Sequence, residues 1–236
     1  MMKLRFLPLL LLPLFSRAQS NADSLFIKKM SDEIMTNGKA YDLLYELTKK
    51  IGGRLAGSPQ QQNAVIWGKK SLEAIGADKV FLQPCKTPNW KRGGMDFAAI
   101  TGVNGVARMQ PLAALALGNS LGSNGLIEAE VIAVASFEEL DKRKEEVKGK
   151  IVYYHSVFDP TKIQTFKAYG ESGAFRRSGA SKAAKYGAVA VMIHSLSTAP
   201  DNEPHTGSMS YDEAYPKIPA VALGPDDAKI LYALAK

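Results

Sequence analysis

The pattern of apolar and polar residues is clearest at residues 179–195, where it predicts a helix followed by a buried strand. Small apolar residues recur at helical spacing in the first half, with lysines on the other side. Residues 188–193 then form an unbroken apolar run, which is typical of a strand buried on both faces. Similar runs at 150–155 and 218–223 predict two strands beside it. We therefore expect this stretch to be the centre of a sheet in an α/β protein.

The rest of the chain alternates between helical and extended patterns. Apolar residues at helical spacing predict helices at 23–37, 41–50, 60–75, 136–147 and 226–236, two of them capped by Ser58 and Ser136. Extended patterns predict strands at 79–83 and 127–135, and short β segments between glycine turns at 97–125. The stretch 84–94 is expected to be an irregular crossing segment without regular secondary structure. The glycine-rich loop at 52–59 fits no phosphate-binding or dinucleotide motif, so we interpret it as a shaped turn whose arginine, Arg54, anchors a neighbouring segment.

The first eighteen positions, 1–18, have the pattern of a cleaved secretory signal. Lys3 and Arg5 give a basic start, an apolar stretch follows, and Ser16-Arg-Ala18 places small residues before a cut that we expect after Ala18. The apolar stretch is interrupted by prolines and is shorter than the roughly 20 residues that a membrane-spanning helix needs. The sequence therefore predicts a secreted or periplasmic protein with no membrane span after the signal is removed.

Composition and charge exclude several classes of protein. The chain is 46% hydrophobic and 22% charged, so it is long and apolar enough to bury a core. Losing Lys3, Arg5 and Arg17 with the signal lowers the formal charge from +7 to +4, and no basic run with interleaved aromatic residues suggests nucleic-acid binding. The single cysteine, Cys85, allows no intramolecular disulfide and is expected to be buried and inert.

Familiar metal-binding motifs are absent from the sequence. It contains no His-Glu-x-x-His, Cys-x-x-Cys or His-x-Asp. The three histidines are His155 and His194, which end apolar strands and are expected to be solvated, and His205, in a loop whose composition suits recognition. Three histidines without carboxylates at ligand spacing do not predict a hydrolytic zinc site.

Eight segments follow one another along the chain in a distinctive order. They are Gly-Gly-Arg-Leu-Ala-Gly-Ser-Pro at 52–59, Pro-Asn-Trp-Lys-Arg-Gly at 88–93, Leu-Ala-Leu-Gly-Asn-Ser-Leu-Gly at 115–122, Val-Lys-Gly-Lys-Ile-Val at 147–152, Gly-Ala-Ser-Lys-Ala-Ala at 179–184, Gly-Ala-Val-Ala-Val at 187–191, His-Thr-Gly at 205–207 and Lys-Ile-Pro-Ala at 217–220. In this order they resemble the carboxypeptidase Q-like (plasma glutamate carboxypeptidase) family of secreted zinc peptidases. The resemblance covers nearly all of the chain after the signal. It implies the α/β class, with the N-terminal helical and first-strand part of a phosphorylase/hydrolase-like zinc peptidase domain followed by an α+β protease-associated domain.

The resemblance also implies domain boundaries. Residues 19–106 would be the N-terminal part of the peptidase domain, 107–223 the inserted protease-associated domain, and 224–236 the start of the return to the peptidase domain. In that family the residues that bind the two zinc ions, and the catalytic glutamate, lie after the insert. No catalytic or metal-binding residue is therefore expected in this chain. The resemblance implies for this chain only the scaffold and a position of His205 and Tyr211 over the mouth of the substrate site.

Two functions from different classes remain open. The chain is the N-terminal portion of a secreted metallo-exopeptidase of the carboxypeptidase or dipeptidase type, inactive alone, whose full-length form cleaves small peptides with two zinc ions. Alternatively, it is a non-catalytic protease-associated module that binds a peptide or a protein partner. The helical start and the glycine-rich loop favour the first, and the missing ligands favour the second. The apolar stretch 112–117 also suggests a homodimer contact.

Overall fold

The computed structural model describes residues 21–236, so the predicted signal at 1–18 lies outside the described residues. The described chain divides after Thr87 into two compact units. No helix within 21–236 is long and apolar enough to cross a membrane.

The first unit is helical. Its elements are α1 (Asn21–Asn37), α2 (Ala40–Tyr45), a π-helical turn (Glu46–Ile51) and α3 (Pro59–Ala74). Ser58 caps α3 as predicted, because its side chain accepts a hydrogen bond from the Gln61 amide. The glycine-rich loop is a turn, and Arg54 donates to the carbonyls of Leu47 and Gly52 at 2.6 Å each.

The helices of this first unit bury none of their residues. Large apolar side chains on α1 stay open to solvent, among them Phe26, Ile34 and Met35. The strand predicted at 79–83 is wrong, because these residues pair with no ladder partner among those the structure describes. Cys85 is exposed, whereas a buried thiol was expected. The part of this unit that the structure describes, residues 21–87, therefore has helices without a buried core.

The second unit is built on a mixed sheet beside a separate hairpin. The hairpin pairs β1 (Ala98–Val103) with β2 (Val106–Leu112). The sheet contains β3 (Ala114–Ala116), β4 (Val131–Val134), β5 (Ile151–Tyr154), β6 (Ala190–His194) and β7 (Ala220–Leu223), in the order β3-β7-β6-β5-β4. All neighbours are parallel except β3 and β7. The prediction that the 188–193 run lies at the centre, flanked by the 150–155 and 218–223 runs, is confirmed.

Helices cover both faces of the sheet. On one face α4 (Phe137–Lys142) and α5 (Thr165–Ala184) enclose a core that includes Tyr154, Val191 and Ile193. On the other face α6 (Pro225–Ala235) and the hairpin pack over Tyr153 and Leu223. Successive residues of one strand point to opposite faces, so Tyr153 donates to the Ala228 carbonyl of α6 while Tyr154 donates to the Gly179 carbonyl of α5.

Some element boundaries differ from the sequence predictions. Helix α5 begins at Thr165, well before the predicted start at Gly179. The strand predicted at 127–135 pairs only from Val131, because its neighbour β5 begins at Ile151 after a turn at Gly149, whose φ is 76°. The predicted α/β class is confirmed, because helices pack on both faces of the sheet.

The apolar stretch 112–117 packs within the second unit. Leu112 lies in the core under α6 and Leu117 in the core under α5. Leu112 and Leu117 are therefore covered by the chain itself, residues 113–116 are half-buried, and the homodimer stays a prediction.

Candidate functional site

The loop at residues 202–211, which carries both predicted substrate-mouth residues, is fastened to the sheet by its main chain. The Gly118 amide donates to the Gly207 carbonyl at 2.8 Å, and the Met209 amide donates back to the Gly118 carbonyl at 2.9 Å. On its other side the Ser210 amide donates to the Arg177 carbonyl of α5 at 3.0 Å. The loop therefore has a fixed course between the edge of the sheet and α5.

His205 is positioned by a buried serine. Its amide donates to Ser195 Oγ at 2.8 Å, and Ser195 Oγ donates in turn to the Leu223 carbonyl of β7. Ser195 is fully buried, directly after strand β6. The imidazole Nε2 lies 3.2 Å from the hydroxyl of Tyr169 on α5, so the ring faces the helix.

Arg176 completes this group of side chains, and the sequence reasoning did not identify it. Its Nη1 donates to the Tyr169 hydroxyl, and its guanidinium carbon lies 5.1 Å from the centre of the Tyr169 ring. Tyr169 and Arg176 are seven residues apart, so they share one face of α5. That spacing was the available signal, although the same pattern is usual on a solvated helix surface. Arg176, Tyr169 and His205 thus form one cluster, called here the arginine cluster.

Tyr211 lies elsewhere in the same loop. Its hydroxyl accepts from the Leu121 amide at 3.0 Å and donates to the Ile218 carbonyl at 2.7 Å, while its ring packs against the core under α5. Within residues 21–236, no hydrogen bond or ring contact joins it to His205. The structure brings His205 into the arginine cluster and uses Tyr211 to tie the loop to the sheet.

The other two histidines meet beneath α6. His155 stacks on Tyr232 of α6, with ring centres 3.6 Å apart, and its ring centre lies 6.1 Å from that of His194. His194 is only 4% exposed, so the expectation that it is solvated is wrong. The cause is a long-range contact, because α6 folds back over the end of β6.

Protonation of these two histidines is disfavoured. Burial lowers the pKa of His194, Lys229 lowers it further, and the hydrogen bond to the Ser195 carbonyl opposes both. Burial, and then the nearby His194, lower the pKa of His155. His194 Nδ1 is 2.7 Å from the Ser195 carbonyl oxygen and so carries the proton, while its buried Nε2 has no partner among the described residues. Burial therefore favours the neutral form of both rings in the folded protein.

A metal site does not form from these residues. Within 21–236, no three His, Cys, Asp or Glu side chains lie close enough together to hold a metal ion. What the described groups offer instead is the half-buried guanidinium of the arginine cluster and the two imidazoles beneath α6.

Comparison with known proteins identifies the family. No protein-family model matches the chain. Carboxypeptidase Q of Xenopus laevis is 37% identical over 215 residues, which is 89% of this chain and 43% of the relative. Carboxypeptidase Q of Homo sapiens is 34% identical over 199 residues, covering 84% of this chain and 39% of the relative. The chain is a carboxypeptidase Q homologue.

A solved structure supports the same assignment. The crystal structure of a peptidase M28 precursor from Shewanella amazonensis superposes with a TM-score of 0.80 and 31% identity, covering 90% of this chain and 47% of that one. This carboxypeptidase Q homologue therefore spans less than half the length of the relatives it matches. The resemblance to the family that the sequence motifs indicated is confirmed.

Proposed function

We propose that this carboxypeptidase Q homologue is the N-terminal portion of a secreted metallo-exopeptidase of the carboxypeptidase or dipeptidase type, which hydrolyses small peptides. The observation that carries the proposal is the extent of the match. Similarity extends over 89% of this chain but only 43% of the Xenopus relative. A stand-alone binding module would have no reason to resemble a peptidase in the helical unit as well as in the sheet. A match over 89% of the chain includes both.

The helical first unit supports the proposal. Helices in a folded protein bury an apolar face, and most of their stability comes from that packing. Helices α1 to α3 bury no residue, and α1 exposes Phe26 and Met35 at 64% and 83%. A helical unit of this kind needs further chain to cover it, as the proposed peptidase domain would provide.

The proposed cofactor is zinc, with two ions in the full-length protein. The described residues do not fit such a site, because no metal-binding cluster forms among residues 21–236. We therefore assign the zinc ligands to residues beyond this chain, and this chain alone is expected to be inactive. Its own contribution is scaffold and recognition of the peptide substrate.

The proposed division of the chain follows the family resemblance. Residues 1–18 are a secretory signal, 19–106 belong to the peptidase domain, 107–223 form a protease-associated domain, and 224–236 lead back to the peptidase domain. The protein is proposed to be secreted or periplasmic and to act on peptides. Within this scheme the loop bearing His205 and Tyr211 belongs to the protease-associated domain and lies over the substrate mouth.

The experiment is to measure metal content and dipeptide hydrolysis in parallel on this 236-residue chain and on the product of the gene's full reading frame. We expect about two zinc ions per molecule and chelator-sensitive hydrolysis in the longer product, and neither in the shorter chain. A longer product that is metal-free and inert, or the absence of any longer frame, would overturn the proposal and leave the non-catalytic binding module.

A further inference from the structure

We propose that the arginine cluster, Arg176 with Tyr169 and His205, binds the terminal carboxylate of a peptide. The inference rests on the proposed function for its biological setting, since a peptide is the substrate there. Its evidence is independent of catalysis. It is a half-buried arginine whose positive charge is paired with no carboxylate among the described residues.

The charge of Arg176 has no acidic partner among the residues that the structure describes. No carboxylate lies within 4.0 Å of its guanidinium among residues 21–236, although the side chain is half-buried. By contrast, Arg143 pairs with Glu139 and Glu146, and Arg92 pairs with Asp96. Enclosing a charge without a counter-ion costs stability unless something else supplies the missing interaction. A bound anion would supply it.

Part of the guanidinium also lacks a hydrogen-bond acceptor. Arg176 Nη1 is occupied by the Tyr169 hydroxyl, but Nε is buried and has no partner, and no acceptor is found for Nη2 among the described residues. Nε and Nη2 lie along one edge of the planar guanidinium, which is the edge that a carboxylate can bind with both oxygens. This unpaired edge therefore matches a carboxylate in shape as well as charge.

The loop is shaped to lie against this arginine. A Cβ atom added at Gly207 would come within 2.7 Å of Arg176 Nη1, 2.8 Å of Cζ and 3.0 Å of Nε. Only a glycine at this position lets the loop approach the guanidinium so closely. The hydroxyl of Tyr169 contacts both Arg176 and His205. The guanidinium is thus fixed in orientation before any ligand arrives, which lowers the entropic cost of binding.

The surface beside the cluster suits an apolar terminal residue. Phe166 lies three residues before Tyr169 on α5, so the two side chains share a helix face. Phe166 is 89% exposed. A single arginine also matches the single charge of a carboxylate better than the higher charge of a phosphate. We therefore choose N-acetyl-phenylalanine as the probe.

The test is a titration of the ¹⁵N-labelled chain with N-acetyl-phenylalanine, with N-acetyl-phenylalaninamide and with inorganic phosphate. We expect saturable shifts of the Gly207 amide and Arg176 Nε–H signals with the free acid, and binding about tenfold weaker or worse with the amide. Arg176→Gln should weaken the acid by a similar factor. The matched control is Arg177→Gln, because Arg177 is the exposed neighbour and lies outside the cluster.

Several outcomes overturn the inference. They are equal binding of acid and amide, equal losses in Arg176→Gln and Arg177→Gln, and phosphate binding as tight as the acid. If Arg176→Gln fails to fold, Arg176→Lys keeps the charge but not the two-pronged geometry, and binding as tight as the wild type would then refute the assignment. Because the titration requires no turnover, its failure is distinguishable from failure of the peptidase proposal, which is judged on the longer product.

Discussion

Acidification from about pH 8 to about pH 5 is expected to destabilise the unit formed by residues 88–236, because two imidazoles are enclosed beneath α6. His194 is 4% exposed, and its Nε2 is buried without a partner among the described residues. A proton added at Nε2 would create a buried cation facing His155 and the Lys229 ammonium of α6, with no carboxylate among the groups that act on its pKa. The folded protein therefore resists protonation that the unfolded chain accepts.

The sign and size of the effect follow from linkage. Because the folded-state pKa values of His194 and His155 are lowered, their contribution to stability is fully present above the unfolded value, about 6.5, and is lost as the pH falls toward the folded values. Each histidine adds at most about 1.4 kcal/mol per pH unit to the slope of the unfolding free energy. For a unit of this size, each kcal/mol corresponds to roughly 2–4 °C in Tm.

The assay is Tm by circular dichroism across this pH range for the wild type and for His194→Asn. An asparagine amide nitrogen takes the place of Nδ1 and keeps the hydrogen bond to the Ser195 carbonyl, but it does not titrate. We expect the variant to be less stable at pH 8, since the side chain is smaller, and to lose stability less steeply on acidification. Parallel curves for the two proteins would refute the assignment of the slope to His194.

Three further predictions concern packing and processing. Gly224→Ala should lower the free energy of unfolding by about 1–3 kcal/mol, measured by chemical denaturation, because a Cβ there would lie 2.1 Å from the Asn202 carbonyl oxygen. Tyr154→Phe should cost roughly 1–3 kcal/mol in chemical denaturation, since the buried hydroxyl donates to the Gly179 carbonyl at 2.9 Å, and an unchanged midpoint would contradict this role. Intact mass of the secreted protein should correspond to a chain beginning at Gln19, and a mature species retaining Met1 would contradict the predicted signal.

The sheet was predictable because its central strands are apolar on both faces. The run 188–193 begins after Gly187, whose φ of 83° ends the preceding helix and turns the chain into β6. The first half of α5 was not predictable, because Gly170 and Gly173 weaken its helical pattern. Tertiary packing stabilises that part of the helix instead, because Ala168 lies buried in a small cluster with Phe158 and Leu196.

The candidate site was only partly predictable for a related reason. The composition around His205 suggested recognition, and the structure places His205 in the arginine cluster. Arg176 is invisible in a one-dimensional pattern, because a charged residue on a helix is usually solvated. It becomes distinctive only when Gly207, thirty-one positions away in the sequence, packs against its guanidinium. The burial of His194 likewise depends on α6, which follows much later in the chain.

Hydrogen bonds also join the loop at residues 202–211 to the start of α6. Asn202 begins the loop, and its Oδ1 accepts from the amides of Asp226 and Asp227 at 3.0 and 3.3 Å, so a loop side chain caps this helix. Its Nδ2 donates to the Asp227 carboxylate, and Ser195 links the His205 amide to the end of β7. The proposed return to the peptidase domain therefore begins where the loop is anchored. Asn202 therefore ties the loop that carries His205 and Gly207 to the first turn of α6.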